Sequence, residues 1–289
     1  MVEKWLELIA CPYCRSPLRL AAEDCLACSG CAADFPLQDQ IPILLRQQDL
    51  AKSERFSRLY RNLRREAGWQ PLSRKQLLQL PFGRPPGYPA LYWRVRRQSY
   101  QALRAWLRSQ EPARPQAQVA DLGAGNGWLS HRLSQAGYRL MALDISLDED
   151  FGLRAGGPGT LPQQDYLRVQ ADLQHLPLPS GSYQYLIYNA SLHYAQNLAD
   201  ALAQARRTLL PGGFVIILDS PIAKNPLPAA GLGDRQLGAA EIQHALTEAG
   251  LQPSWKAVRR GLHWWLYQFQ RRLVGQPRFH FPLVVAQKG

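Results

Sequence analysis

The amino-acid sequence predicts an α/β protein with a mainly parallel sheet, preceded by a small cysteine-bearing unit and a helical segment. Three observations lead to this prediction. Short apolar runs alternate with helical stretches, a glycine-rich turn follows the first of these runs, and all five cysteines lie between residues 11 and 31. Alternating strands and helices are typical of a parallel sheet covered by helices on both faces.

The glycine-rich turn is the feature that points to a ligand. The apolar run 119–122 contains Asp121, and Gly123-Ala124-Gly125-Asn126-Gly127 follows it before a helical pattern begins at Trp128. A turn between a strand and a helix presents backbone N–H groups to a ligand. Glycine suits this turn because it accepts a positive φ and has no Cβ to hold the ligand away. By itself the turn also fits a dinucleotide-binding dehydrogenase.

Two further acids follow later strands. Asp144 ends a second apolar run about 20 residues after the glycines, where a carboxylate can bind both hydroxyls of a ribose. Asp172 and Leu173 follow the next run, and residues 183–189 form a fourth strand pattern. The turn Pro211-Gly212-Gly213 then precedes a fifth strand that begins at Phe214.

This order of motifs resembles the class I S-adenosylmethionine-dependent methyltransferases, over roughly residues 116–289. The resemblance implies a seven-stranded Rossmann-like sheet with helices on both faces, and S-adenosylmethionine as the cofactor. It assigns cofactor contacts to the turn, to the acids with their following residues, to the end of the fourth strand and to the helix before the first strand. These residues are Asp121, Gly123, Ala124, Gly125, Asn126, Gly127, Asp144, Ile145, Asp172, Leu173, Asn189 and Arg97. For Arg97, which is expected to reach the methionine carboxylate, a solvated helix face is the alternative.

Three polar residues near the ends of the fourth and fifth strands are the predicted catalytic residues. His193 is the candidate general base, since its free pKa permits proton removal near neutrality, and a packing histidine is the alternative. Asn189 either binds the substrate or holds the loop. Asp219 offers a carboxylate to the same pocket or caps a turn. Ligands of open α/β sheets bind at this edge.

The cysteines predict a zinc site. Cys11 and Cys14 form one closely spaced pair, and Cys28 and Cys31 form another, which together can hold a tetrahedral metal. An overlapping pair begins at Cys25, and disulfides are disfavoured in a reducing compartment.

With residues 35–36 and 39–42, this pattern resembles the zinc-ribbon activators of tRNA and translation-factor methyltransferases and their short bacterial relatives. The resemblance implies a structural Zn²⁺ on Cys11, Cys14, Cys28 and Cys31, with Cys25 as a spare thiol. That family usually has glycine at the positions of Ala32 and Gln40.

The predicted domains are a zinc ribbon (1–47), a helical cap or linker (48–114) and a methyltransferase domain (115–289). The net charge of +12 favours anionic partners, although an arginine-rich surface without a partner gives the same value. The aromatic and basic residues at 261–273 bind a ring, lipid or nucleotide, or they pack on the domain. We favour packing. Charged residues interrupt the apolar start of the chain, and no apolar run reaches the roughly 18 residues of a membrane span. We therefore expect a cytoplasmic protein.

The predicted function is methyl transfer from S-adenosylmethionine to a small-molecule or lipid-like acceptor by direct in-line displacement. An RNA methyltransferase acting on tRNA or rRNA is the first alternative, favoured by the positive charge and the ribbon. A non-catalytic scaffold that binds the cofactor is the second. The fourth strand lacks the Asn-Pro-Pro-Tyr or Asp-Pro-Pro-Tyr sequence of amino methylators, and no cysteine beyond residue 31 is present to attack a pyrimidine ring.

Overall fold

A computed structural model describes residues 2–110, 117–155, 166–226, 235–273 and 278–289. After a short 3-10 helix, Val2–Leu8, the chain forms a four-stranded antiparallel sheet in sequential order. Its strands are β1 (Leu18–Ala22), β2 (Cys25–Cys28), β3 (Asp34–Gln38) and β4 (Ile41–Pro42). Ala32 and Gln40 have φ values of 55° and 62°, in the left-handed region. Glycine relieves strain there, which explains why the resembling family prefers it at both positions.

The small N-terminal sheet is joined to the larger sheet by backbone contacts. Just after β4, Ile43 pairs in parallel with Gln170, and the N–H of Leu44 donates to the carbonyl of Gln170 over 2.9 Å. The hydroxyl of Tyr183 donates to the carbonyl of Leu8 over 2.6 Å. Apolar side chains of both units share one core, so they pack as a continuous body.

The second sheet confirms the predicted fold class. Its seven strands lie in the order β12-β13-β9-β8-β5-β6-β7. They are β5 (Gln118–Leu122), β6 (Arg139–Asp144), β7 (Tyr166–Gln170), β8 (Tyr183–Asn189), β9 (Leu209–Leu218), β12 (Leu251–Lys256) and β13 (Leu283–Lys288). Strand β13 is antiparallel to both of its neighbours, and the other pairings are parallel. All seven residues of β8 are buried, as expected for a central strand with both faces covered. A short parallel pair, β10 (Ile222–Ala223) and β11 (Leu237–Gly238), lies beyond β9.

Helices surround this sheet. They are α1 (Leu50–Glu66), α2 (Arg74–Gln79), α3 (Ala90–Gln110), α4 (Trp128–Ser134), α5 (Leu198–Thr208), α6 (Ala239–Glu248) and α7 (Leu262–Leu273). In α3, Trp106 packs edge-on against Phe214 at 5.0 Å and Tyr185 at 5.9 Å, which fixes this helix on the sheet. Helix α1 lies at the carboxyl edge instead, where the hydroxyl of Ser53 donates to the carbonyl of Ile145 over 2.7 Å.

The predicted domain boundaries stay predictions. The boundary near residue 47 falls where a 3-10 turn, Gln47–Asp49, leads into α1. The boundary between residues 114 and 115 lies outside the described residues. Within the described ranges, none of the helices has both the length and the apolar character that crossing a bilayer requires.

Candidate functional site

A cavity of about 760 Å³ opens at the carboxyl edge of the parallel strands. Its walls come from the segments that follow β5, β6, β7 and β8, and α1 covers it. The lining includes Lys52, Phe56, Tyr60, Gly123, Gly125, Asp144, Ile145, Ser146, Asp172, Leu173, Ala190, Ser191 and Tyr194. This volume is within the range of small-molecule and cofactor sites.

The glycine turn approaches the loop after β8 closely. Gly123, Gly125 and Gly127 all have positive φ, from 55° to 76°, as the sequence argument requires. A Cβ added to Gly123 would lie far inside van der Waals contact with the Cβ of Ser191, so no larger residue fits this position. Ala124, Asn126 and Gly127 are not part of the cavity lining. They shape the turn: the N–H of Ala124 donates to the carbonyl of Leu143 over 2.8 Å.

Asp144 is a buried carboxylate that faces the cavity. Its oxygens accept the N–H of Gly125 over 2.7 Å and the N–H of Ser146 over 2.8 Å. Burial raises the pKa of this carboxyl from 3.8 to about 6, although the two N–H groups oppose the rise. Asp144 is therefore ionised at neutral pH and can accept two further hydrogen bonds from a ligand.

Asp121 does not line the cavity, unlike the other two predicted acids, Asp144 and Asp172. It lies under the glycine turn, outside the cavity lining, and accepts the hydroxyl of Ser130 in α4 over 2.7 Å. Burial raises its pKa to about 7. In this position Asp121 anchors α4 to β5.

Asp172 is held by a helix that sequence reasoning did not connect to it. The ammonium of Lys52 in α1 lies 2.5 Å from one carboxylate oxygen, and the N–H of Gln174 donates to the other over 2.9 Å. The cavity-lining residues Lys52, Phe56 and Tyr60 are four residues apart on one face of α1. That spacing is the sequence signal that identifies α1 as the cover.

His193 is buried and does not have the pKa on which the general-base prediction rested. Burial and the nearby Arg64, Arg96 and Arg235 lower the pKa of its imidazole to about 3. Its Nδ1 lies 3.3 Å from the hydroxyl oxygen of Ser220. At neutral pH this ring is uncharged and is a weak base, so its position favours the packing alternative.

The other predicted catalytic residues are also buried. Asp219 accepts the hydroxyl of Ser99 and lies 3.6 Å from Arg96 and 3.9 Å from Arg260. Asn189, at the end of β8, does not line the large cavity, and its side-chain oxygen has no hydrogen-bond partner among the described residues. Burial raises the pKa of the Asp219 carboxyl, while Arg96, Arg260 and Ser99 oppose the rise, and its Oδ2 has no hydrogen-bond partner among the described residues.

Arg97 does not reach the cofactor cavity. Its side chain is exposed and is absent from the lining, whereas the adjacent Arg96 is buried. Neighbouring residues of an α-helix point about 100° apart, so a shift of one position moves a side chain from the interior to solvent. The structure therefore favours the solvated alternative for Arg97.

A second, smaller chamber of about 270 Å³ adjoins the first. Ala190 and Tyr194 line both spaces. The remaining walls come from several helices and loops: Arg64, Tyr92, Arg96, His193, Asp219, Pro221, Gln236, Arg271, Phe279 and Phe281. Sequence reasoning missed the arginines here, because their approach depends on how α1, α3 and α7 pack.

Four of the five cysteines converge. The Sγ atoms of Cys11, Cys14, Cys28 and Cys31 all lie within 4.8 Å of one another, with 3.6 Å between Cys11 and Cys31 and 3.3 Å between Cys14 and Cys28. A tetrahedral Zn²⁺ with Zn–S bonds of about 2.3 Å would place its sulfurs roughly 3.8 Å apart. Cys25 stands outside this group. The spacing therefore fits a four-thiolate metal site.

Helix α7 packs on the domain by one face and leaves its other face apolar and exposed. Trp264 and Gln268 are buried. The opposite stripe, 50–70% exposed, consists of Leu262, Trp265, Leu266, Phe269 and Leu273. Packing on the domain, the interpretation favoured from the sequence, therefore accounts only for the buried face of α7.

Comparisons with known proteins agree with this architecture. Residues 120–217 match a family model described as a methyltransferase domain. The malonyl-[acyl-carrier protein] O-methyltransferase of Enterobacter lignolyticus is 30% identical over 154 residues, which cover 53% of this chain. The chain spans 57% of the length of that relative.

One solved structure and one shorter protein are also similar to this chain. Geranyl diphosphate C-methyltransferase from Streptomyces coelicolor A3(2) superposes with a TM-score of 0.52 and 15% identity, over 77% of this chain and 87% of that one, so the fold is shared. The UPF0434 protein of Nitrosococcus oceani is 41% identical over 49 residues, which are 17% of this chain and 83% of that protein. Over that segment of 49 residues, the chain belongs to the UPF0434 family.

Proposed function

We propose that this protein is an S-adenosylmethionine-dependent methyltransferase that methylates a small-molecule or lipid-like acceptor by direct in-line displacement. The observation that carries the proposal is the pair of adjoining spaces, one lined by the glycine turn and Asp144, the other opening beside it at Ala190 and Tyr194. A methyl donor and an acceptor in these spaces would meet at the shared wall.

The residues of the large cavity fit the cofactor. Asp144 would accept the two ribose hydroxyls, Ile145 and Leu173 would contact the adenine, and Asp172 would accept its amino group. The absence of a Cβ at Gly123 and at the half-buried Gly125 would admit the methionine end. When bound, S-adenosylmethionine supplies an electrophilic methyl group on a positively charged sulfur.

The chain contributes alignment, exclusion of water and an aromatic wall. Tyr60 and Tyr194 meet edge to face at 5.8 Å, and Phe56 lies 5.7 Å from Tyr60 and 5.8 Å from Tyr194. Aromatic faces attract a cation such as a sulfonium. Holding two reactants in line in a dry site is the main source of acceleration that such a displacement needs.

Helix α7 supports a lipid-like acceptor. The exposed stripe defined above is apolar, and from Ala249 to Gly289 the sequence has no acidic residue while it contains seven lysines and arginines: Lys256, Arg259, Arg260, Arg271, Arg272, Arg278 and Lys288. An apolar helical face flanked by basic residues is typical of segments that bind the surface of anionic membranes. Arg271 of the same helix lines the smaller chamber.

The four clustered cysteines would hold a structural Zn²⁺. Each sulfur would act as a thiolate, and four such ligands fill a tetrahedral site, so no position remains for a reacting water. The small N-terminal sheet has few residues to form a core, and metal binding would supply part of its folding free energy.

The test is transfer of tritium from methyl-labelled S-adenosylmethionine, with the purified protein added to size-fractionated bacterial extract. We expect label in the fraction extracted by organic solvent, and none with Asp144→Asn. Label in purified RNA would support the alternative of an RNA methyltransferase, which the net charge of +12 favours. Tight cofactor binding without label in any fraction would favour the scaffold.

A further inference from the structure

The smaller chamber carries an excess of positive charge. Three guanidinium groups line it, those of Arg64, Arg96 and Arg271, and Asp219 is the single acid among its lining residues in the described part of the chain. Asp219 is already shared among Ser99, Arg96 and Arg260. Among the described residues, one carboxylate therefore faces several arginines, which leaves an excess of positive charge.

Two of these arginines have free donors. The side chain of Arg96 is 11% exposed, and Arg64 donates to the hydroxyls of Tyr60 and Tyr194 over 2.8 and 3.3 Å. The Nε–H groups of both arginines are buried and have no hydrogen-bond partner among the described residues. A buried donor without an acceptor is costly, and more so when it belongs to a charged group. An anion in the chamber would lie beside both guanidinium groups and offset their buried charge.

Two titratable residues that line the chamber are poor bases at neutral pH. His193 is uncharged with a pKa of about 3, and burial raises the pKa of Tyr194 well above its usual value. Asp219 is held by its ion pairs. Asp219, whose Oδ2 has no hydrogen-bond partner among the described residues, is then the acid-base group left to take a proton from a neutral alcohol or amine, and it already faces Arg96. An acceptor oxygen that is already ionised at neutral pH needs no such help.

We propose that Arg64 and Arg96 bind the carboxylate of a carboxylic acid acceptor, and that one oxygen of this carboxylate receives the methyl group. The proposal rests on the methyltransferase function proposed above. A bond forms between the carboxylate oxygen and the methyl carbon while the bond from that carbon to sulfur breaks. The electron pair of the broken bond stays on sulfur, which becomes a neutral thioether. The product is a methyl ester, and no proton is released.

Size and wall chemistry favour a carboxylic acid over a nucleotide. The chamber volume of about 270 Å³ is at the lower limit of small-molecule sites, which start at roughly 300 Å³. Phe279 and Phe281 give it an apolar side suited to a hydrocarbon chain. Arginine binds a planar carboxylate through paired N–H groups, and each oxygen keeps a lone pair for attack.

The test compares ligands that differ only in the polar head. Octanoate, octanol and octyl phosphate are titrated calorimetrically into the full-length protein loaded with S-adenosylhomocysteine, and butyrate and dodecanoate repeat the acid at other chain lengths. We expect the acids to bind at least about tenfold tighter than octanol, because charged hydrogen bonds are replaced by a neutral one. Arg96→Gln should lower acid affinity by a similar factor and leave S-adenosylhomocysteine affinity unchanged, because Arg96 does not line the cofactor cavity. The matched control, Arg97→Gln, alters its exposed neighbour and should change neither affinity.

Turnover gives a second readout. With S-adenosylmethionine and the best acid, the expected product is a methyl ester, cleaved by alkali to methanol, with no proton uptake or release in weakly buffered solution. Preference for octyl phosphate, equal binding of acid and alcohol, or one proton released per methyl group would overturn the carboxylate proposal while S-adenosylhomocysteine still binds. Failure of S-adenosylhomocysteine itself to bind would instead refute the proposed function.

Discussion

Replacing Asp144 by asparagine separates the ligand role of this carboxylate from its structural role. The carboxylate accepts N–H groups of Gly125 and Ser146, and burial raises its pKa from 3.8 to about 6. That difference corresponds to a cost of roughly 3 kcal/mol for keeping the charge buried at neutral pH. Asparagine removes this cost but offers only one oxygen to the two backbone donors, so the two effects largely cancel. We expect the melting temperature of Asp144→Asn to stay close to that of the wild type.

Cofactor affinity should respond differently. Two ribose hydroxyls would each donate to a charged acceptor, and such bonds contribute about 1.5–3 kcal/mol each. Asparagine retains at most a neutral acceptor, so we expect a loss of about 3 kcal/mol, or roughly 100-fold in the Kd of S-adenosylhomocysteine measured by calorimetry.

The control is Asp148→Asn, the same chemical change at a nearby buried acid. Asp148 pairs with Arg61 and accepts the N–H groups of Asp150 and Phe151 over 2.9 and 2.8 Å, but it does not line the cavity. This variant should melt at a lower temperature and keep its affinity within about threefold, since only structural bonds are lost. An unchanged Kd in Asp144→Asn would refute the assignment of the ribose site.

Three further predictions follow from the same geometry. Cofactor affinity should be constant above about pH 7, be about halved near pH 6 and fall by up to about tenfold per pH unit below that, because only ionised Asp144, whose pKa is about 6, accepts both hydroxyls; the fall should be absent in Asp144→Asn. Elemental analysis should find one zinc per chain in the wild type and in the control Cys25→Ser. Cys14→Ser should lose zinc and melt at a lower temperature. Zinc retained in Cys14→Ser would argue against the four-thiolate site. The protein should sediment together with phosphatidylglycerol vesicles. Phe269→Ser in the exposed stripe of α7 should lower the sedimented fraction several-fold, whereas Leu210→Ser, on another exposed surface, should leave it unchanged. Equal sedimentation of both variants would contradict the lipid role of α7.

Some expectations from sequence held because they depended on local patterns. Apolar runs that alternate with helices predicted a mainly parallel sheet, the resemblance to class I methyltransferases implied seven strands, and both are observed. The positive φ of Gly123 and Gly125 was implied by a turn between a strand and a helix. Asp144 and Asp172 line one cavity because both follow parallel strands, whose carboxyl ends share an edge of the sheet.

Other features depended on contacts that no local pattern specifies. Burial and surrounding arginines lower the pKa of His193, although the free side chain has a pKa near neutrality. The rotation of α3 buries Arg96 and exposes Arg97, and no neighbour in sequence sets that rotation alone.

The sequence by itself determined the order of strands and helices, the ligand-binding turn and the pairs of cysteines. Backbone conformation, side-chain period and ligand spacing are set by residues close together in the chain. Only the tertiary structure decided that Lys52 would neutralise Asp172, and that Arg64 and Arg96 would face one chamber. Burial and charge proximity arise when segments far apart in sequence pack together, and their free energies depend on distances that exist only in the folded protein.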